Sequence, residues 1–465
     1  MSANALFARD ALLPDGWAAD VLVEWDAEAR ITRVTPGAIC PTGTPRAAGP
    51  VIPGMPNLHS HAFQHAFAGL TETRGRDGDS FWTWREAMYR YASRLTPPLL
   101  EAIATHLYLR MLRGGYTSVC EFHYVHNDAN GLPYADDPAM SEALLRAAHA
   151  AGIGITLLPV LYQQGGFGAT PPRAEQRRFV RATDALVGLV ASLHDAGETP
   201  RARIGFAAHS LRAVAPDNLA AALAGMAAID ATMPRHIHIA EQRREVDECL
   251  VFHHQRPVAW LLDHADVDAH WCLVHATHMD DAESDAAART GAVAGLCPTT
   301  EANLGDGTFA MPRWMAAHGR WGIGSDSHVC VDAGLELAAL EYSQRLATGR
   351  RNVVAGDREA AVATAMTSAA VAGGAKASGR RIAGLAAGEQ ADFVVLDAAH
   401  PALADLDAPA MLSAHVFATD RHSAIRDVYA GGTARVAEGR HAGQAAANAA
   451  FGAARRTLAD ARIAR

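Results

Sequence analysis

His59-Ser60-His61 places two imidazoles two residues apart. At the end of an extended strand, positions i and i+2 point to the same side, so both rings can face one metal ion. Alone the pattern is weak, since a surface or core histidine pair would give it too. Three further segments add weight: His236-Ile237-His238-Ile239-Ala240-Glu241, His275-Ala276-Thr277-His278 and Gly324-Ser325-Asp326-Ser327-His328. Each taken singly reads as a buried histidine or a capping aspartate. Together they offer His59, His61, His238 and Asp326 to one divalent ion. Three imidazoles and a carboxylate suit zinc best and admit iron or manganese. Such an ion lowers the pKa of water from about 15.7 towards about 7. Asp326 can then hold the water's proton. Glu241 is placed to carry a proton to a leaving nitrogen, and His275 to polarise the electrophile or steer the attacking oxygen.

These side chains need a scaffold that gathers strand ends. Eight apolar strand-like runs occur at 51–58, 116–122, 152–160, 203–208, 235–239, 271–274, 292–297 and 321–324. They alternate with amphipathic stretches such as 98–113 and 139–151. That alternation predicts an α/β chain with a parallel sheet, and eight such units suit a closed (β/α)₈ TIM barrel. The chemical residues fall at C-terminal strand ends, where barrel active sites are built. A doubly wound open sheet is the alternative, but no GxGxxG follows a strand. Short strand-like runs at 21–25, 31–34, 391–398 and 424–437 flank the barrel. We therefore expect a small β-sandwich domain from both chain ends (1–53 and 385–440), a barrel over 54–384, and an Ala-rich helical tail over 441–465.

The 465 residues leave room for both units. Forty-one basic and 50 acidic residues give a net charge of −9, which disfavours nucleic acid and anionic membranes as partners. No run of 18 apolar residues suggests a membrane span. Met1–Asp10 lacks the basic and apolar regions of a signal peptide. The six cysteines form no CxxC pair and read as reduced thiols of a cytoplasmic protein. Lys376 is the only lysine. Many two-metal barrel hydrolases bridge their ions with a modified lysine at the fourth strand end; here that place reads Ala208-His209-Ser210. A single ion is expected.

The stretches GMPNLHSHAFQ (54–64), DSFWTWREAMYR (79–90), EFHYVH (121–126), HSLRAV (209–214), HIHIAEQ (236–242), LVHATH (273–278), TEANLGDG (300–307) and GIGSDSHV (322–329) carry a resemblance. They resemble the mononuclear deaminase branch of the amidohydrolase superfamily, and within it the deiminases of formiminoglutamate. The resemblance spans essentially the whole barrel. HxH and SDSH are superfamily-wide; FWTWRE and HSLRAV are much more specific. It implies hydrolysis of N-formimino-L-glutamate to N-formyl-L-glutamate and ammonia, in histidine degradation. It implies His59, His61, His238 and Asp326 as metal ligands and Glu241 with His275 as the acid–base pair. Gln64, Arg85, Tyr124, His209 and Arg212 become substrate contacts, and a homodimer is implied.

The substrate chemistry agrees with this, because arginine forks recognise carboxylates and the substrate carries two. Arg85 and Arg212 are expected in loops after the first and fourth strands, with Trp82 and Trp84 as packing residues. A deaminase of a heterocycle, a deiminase of a related dicarboxylate, and a catalytically silent barrel are the rivals. No ligand or acid–base residue is missing, which argues against the last. With four ligands and no bridging lysine, elemental analysis of fully active protein should give one metal equivalent per chain. Two equivalents would overturn the single-ion reading.

Overall fold

Gly54 divides the first apolar run between two sheets. Val51–Pro53 pairs in the sheet built from the chain ends, and Met55–Ser60 opens the barrel. A Cβ on Gly54 would lie 2.3 Å from the Thr117 side chain, so this close crossing needs glycine. The computed structural model describes residues 4–74, 81–356 and 359–459. Asp79 and Ser80 of the DSFWTWREAMYR stretch and the end of the tail lie outside them.

The barrel strands are β1 Met55–Ser60, β2 Tyr116–His123, β3 Gly154–Leu161, β4 Phe206–Ala208, β5 Arg235–Ile239, β6 Trp271–His275, β7 Val293–Leu296 and β8 Arg320–Ile323. Each pairs in parallel with the next. The runs expected from sequence correspond to these strands, with two changes. The first is the split at Gly54. The second is a break at Gly205, which separates β4 from Ala202–Ile204, a short strand paired only to β3. A Cβ on Gly205 would meet the Leu158 side chain at 2.5 Å and the Pro234 carbonyl at 2.9 Å.

The other sheet has eight strands in one hydrogen-bonded order. It runs Arg440–His441, Thr433–Ala437, Ile425–Ala430, Phe393–Leu396, Val51–Pro53, Asn4–Leu13, Gly16–Trp25, Ile31–Thr35. All pairs are antiparallel except Val51–Pro53 with Asn4–Leu13. Trp25 and Phe393 pack edge-on at 5.7 Å within its core. The tail forms helix Gln444–Ala459, whose Phe451 stacks on His106 at 4.2 Å. No helix among the described residues is long and apolar enough to cross a membrane.

The barrel closes between β8 and β1 through the backbone of the chemical residues themselves. Asp326 N–H donates to His59 O at 3.0 Å, and His61 N–H donates to Asp326 O at 3.2 Å. Asn57 fastens the same seam: its Oδ1 accepts Ser325 N–H at 3.1 Å, and its amide donates to Ser325 Oγ at 2.7 Å. The two strands approach so closely that a Cβ on Gly324 would lie 2.8–2.9 Å from the Cβ and backbone of His59. Gly324→Ala should therefore force the seam apart. The expected cost is on the order of 1–3 kcal/mol in urea unfolding, as for other overpacked sites, together with weaker metal retention on dialysis. Wild-type stability with full metal content would show that the seam yields easily.

Candidate active site

Four side chains converge at the C-terminal mouth of the barrel. His59 lies in β1 and His61 just past it; His238 lies in β5, and Asp326 follows β8. His59 Nε2 is 3.1 Å from His61 Nε2 and 3.0 Å from His238 Nε2. Asp326 Oδ1 stands 3.3 Å from His61 Nε2 and 3.5 Å from His59 Nε2. These contacts are not a set of hydrogen bonds. His61 Nδ1 donates to the Phe122 carbonyl at 2.9 Å, and His238 Nδ1 to the His209 carbonyl at 3.1 Å. Their Nε2 atoms therefore turn lone pairs towards His59 Nε2, whose one possible proton could satisfy only one of them. Burial presses all three rings towards the neutral form, with His59 pushed down to about 3. Burial alone would raise Asp326, but His59, His61 and His275 hold it ionised below its usual range. Lone pairs about 3 Å apart are what ligands about 2.0–2.1 Å from a shared ion present. The residues fit a divalent metal.

Around this cluster the backbone is bent hard. Ala240, His275, Ala276, Asp326 and His328 have φ of 50°, 65°, 51°, 42° and 65°. All are non-glycine residues at the ends of β5, β6 and β8. Such conformations cost on the order of 1–3 kcal/mol each and persist where the surroundings over-determine them.

Glu241 follows the Ala240 bend, and its Oε1 is 3.8 Å from His275 Nε2. His275 Nε2 also lies 3.9 Å from Asp326 Oδ2, and its ring stacks on His238 at 5.6 Å. Burial raises Glu241 above the usual carboxylate range, a direction His275 and Arg212 oppose. Burial pulls His275 down, but Glu241, Glu301 and Asp326 outweigh it and raise the ring. The pair is thus poised to exchange a proton.

A cavity opens beside the cluster. His61, His238, His275, Glu241 and Asp326 line it, as do Gln64, Arg85, Tyr124, His209 and Arg212. Every expected site residue lines this cavity except His59, which lies behind it in contact with His61, His238 and Asp326. Gln64 donates to Tyr124 OH at 3.0 Å, and His209 Nδ1 meets Ser210 Oγ at 3.1 Å. Arg212 Nη2 lies 3.9 Å from Glu241 Oε2, and its Nε 4.0 Å from Glu245 Oε2. Nε of Arg85 and of Arg212 is buried without a hydrogen-bond partner among the described residues.

Two expectations are corrected. Arg85 is in helix Phe81–Ala92, not in a loop, because Phe81, Met88, Tyr89 and Ala92 form a buried helical face. Trp82 does more than pack: the Arg85 and Arg244 guanidinium groups lie 4.5 and 4.4 Å over its ring. Trp84 packs on Phe67 and also lines the cavity.

Sequence reasoning missed several residues. Tyr162 lines the cavity directly after β3, and the strand-end rule could have found it. Glu121 of β2 accepts from Ser60 Oγ at 2.7 Å and from Ala62 N–H at 2.6 Å, gripping the chain on both sides of His61. A carboxylate inside an apolar strand was its signal. Cys297 approaches His275 and Asp326, but burial keeps its thiol protonated. Lys376 is exposed on helix Val362–Ser378.

A closed parallel barrel with a histidine–aspartate cluster at its C-terminal mouth defines a TIM-barrel metal-dependent hydrolase. The profile of the Amidohydrolase family matches residues 51–435, and that of the "Formimidoylglutamate deiminase HutF, N-terminal domain" matches residues 3–47. The chain belongs to the amidohydrolase family. It is 49% identical over 449 residues to formimidoylglutamate deiminase of Pseudomonas aeruginosa, covering 96% of this chain and 98% of that protein. It superposes on the crystal structure of an amidohydrolase from Brucella melitensis with a TM-score of 0.92 and 44% identity, over 98% and 99% of the two chains. An adenosine deaminase from Xanthomonas campestris with bound zinc shares the fold, at 21% identity, a TM-score of 0.80 and 98% of both chains.

Proposed function

We propose that the chain hydrolyses N-formimino-L-glutamate to N-formyl-L-glutamate and ammonia, a step of histidine degradation. The observation that carries this is the charge layout of the cavity. Arg85 and Arg212 both lie over the Trp82 ring, at 4.5 and 5.8 Å, and Arg212 reaches to within 3.9 Å of Glu241, which with Asp326 flanks His275. A linear amidine with two carboxylates matches these charges. A neutral heterocycle would bring no carboxylate to the half-buried Arg85 or to the buried Arg212, whose Nε lacks a hydrogen-bond partner among the described residues. The relative that is 49% identical carries the same activity in its name.

His59, His61, His238 and Asp326 would hold one zinc ion, which, when bound, makes hydroxide available from water near neutral pH. Glu241 takes a proton from the water and delivers it to the amidine nitrogen that leaves. His275 directs its Nε2 at the reacting atoms and stabilises the charge that develops there. The C–N bond to the terminal nitrogen breaks, water's oxygen becomes the formyl oxygen, and ammonia departs. Arg85 and Arg212 fix the carboxylates, with Gln64, Tyr124 and His209 beside them. Dicarboxylate substrate, homodimer and cytoplasmic location complete the reading; the six free cysteines accord with a reducing compartment.

An ammonia-release assay on zinc-loaded protein tests it, with formiminoglutamate, formiminoaspartate, cytosine and guanine as substrates. Turnover should be fastest on formiminoglutamate; turnover on a heterocycle alone would refute the proposal. In Glu241→Gln the amide is nearly isosteric but cannot carry the proton. Its kcat should fall at least ~100-fold with metal still bound, whereas near wild-type turnover would remove Glu241 from the mechanism. Arg212→Met should cut kcat/KM for formiminoglutamate about 30-fold or more, the lower end of what an unpaired buried carboxylate costs. Lysine there should restore only part, because it lacks the fork. Activity that survives both Arg212→Met and Arg85→Met would place carboxylate recognition elsewhere.

A further inference from the structure

Glu301 belongs to the TEANLGDG stretch, and neither the ligand set nor the cavity wall accounts for it. It lies in the first turn of helix Pro298–Leu304 and is 6% exposed. Its Oε1 accepts the Cys297 N–H at 2.9 Å and stands 3.3 Å from His275 Nδ1. The other ring nitrogen, Nε2, is the one that faces Glu241 and Asp326.

Stacking on His238, with the rings 14° apart, sets the plane of the His275 ring but not its facing. A half-turn about the Cβ–Cγ bond keeps that plane. It replaces Nδ1 by Cδ2 and Nε2 by Cε1, and so points carbon at the reacting atoms. Glu301 Oε1 is an acceptor, and Cδ2 could not donate to it as Nδ1–H does, so this hydrogen bond distinguishes the two facings. The second Glu301 contact, from Cys297 N–H, holds the carboxylate in place.

We propose that Glu301 is the positioning residue for His275. By accepting the Nδ1 proton it locks the ring in the one facing that aims Nε2 at the reaction centre. Glu301 stands to His275 as an orienting third group stands to a catalytic base. The proposal rests on the role given to His275 above.

The test is a double-mutant cycle on the full-length, zinc-loaded protein. Glu301→Ala should lower kcat 10- to 100-fold, the range for loss of an orienting partner, with KM changed less than about threefold and metal content unchanged. Glu301→Gln should recover much of it, because its side-chain carbonyl can accept both N–H groups. In a His275→Ala background, Glu301→Ala should cost less than about twofold, since there is no ring left to orient. Proton NMR with labelled histidine should show a downfield Nδ1–H signal that His275→Ala and Glu301→Ala each abolish. The proposal falls if Glu301→Ala keeps wild-type kcat. It also falls if the loss is equally large without His275, or if Glu301→Gln is as impaired as Glu301→Ala while binding metal normally. Should wild-type protein prefer another substrate, the reading of the substrate fails by itself, and the same cycle on that substrate still decides the role of Glu301.

Discussion

The register of β1 against β8 is the constraint on which the site depends. The first and last barrel strands are joined by bonds between the backbones of His59, His61 and Asp326, so the contacts that close the barrel also set three of the four candidate ligands side by side. A slip by one residue would turn alternate side chains to the opposite face and scatter the ligands. Asn57 resists that slip by bonding both the backbone and the side chain of Ser325. Gly324 permits the approach, and Glu121 pins the chain before and after His61. Phe122 supplies an apolar floor, 5.1 Å from the His59 ring and 4.3 Å from that of His238.

What the register assembles is electrostatically expensive. Glu241, Glu245, Glu301, Asp306 and Asp326 are buried around His275 and Arg212. Buried charges are tolerated only when paired and hydrogen-bonded. Burial, aided by Glu241, pushes Asp306 above the usual carboxylate range. Glu121, likewise buried, rises to about 7 although three donors point at it. A cation at the histidine cluster would oppose these shifts and draw the acids towards ionisation. The acidic shell therefore makes physical sense around a positive ion, just as the facing lone pairs of His59, His61 and His238 do.

Much of this was legible in sequence because apolar runs and strand ends are local signals. The eight runs correspond to the eight barrel strands, and the polar residues that end them do converge. The failures share a cause: pairing partners distant in sequence. Nothing local tells that Val51–Pro53 leaves the barrel for the other sheet, or that Asn4–Leu13, with Arg9 and Asp10 in its middle, is a ten-residue strand. Arg85 looked like a loop residue until Phe81, Met88 and Tyr89 proved to be one buried face. Asn57, Glu121 and Glu301 each bond to something 26 to 268 residues away. Their only local mark is a polar side chain inside or next to an apolar strand.

The candidate site divides its residues between strands and connections. The candidate ligands, Glu241 and His275 stand in the strands or within three residues of their ends, where closure leaves little freedom. Arg212 belongs to the turn after β4, and Arg85 to a helix in the long excursion between β1 and β2. Those segments can be exchanged without disturbing the seam. On the proposed function, the ligand and acid–base candidates are residues that closure places, and the carboxylate contacts are residues that closure leaves free. Trp82 belongs to the second group. Its ring carries Arg85 and Arg244 within about 4.5 Å, so the orientation of Arg85, the proposed carboxylate contact, depends on a side chain outside the ligand cluster.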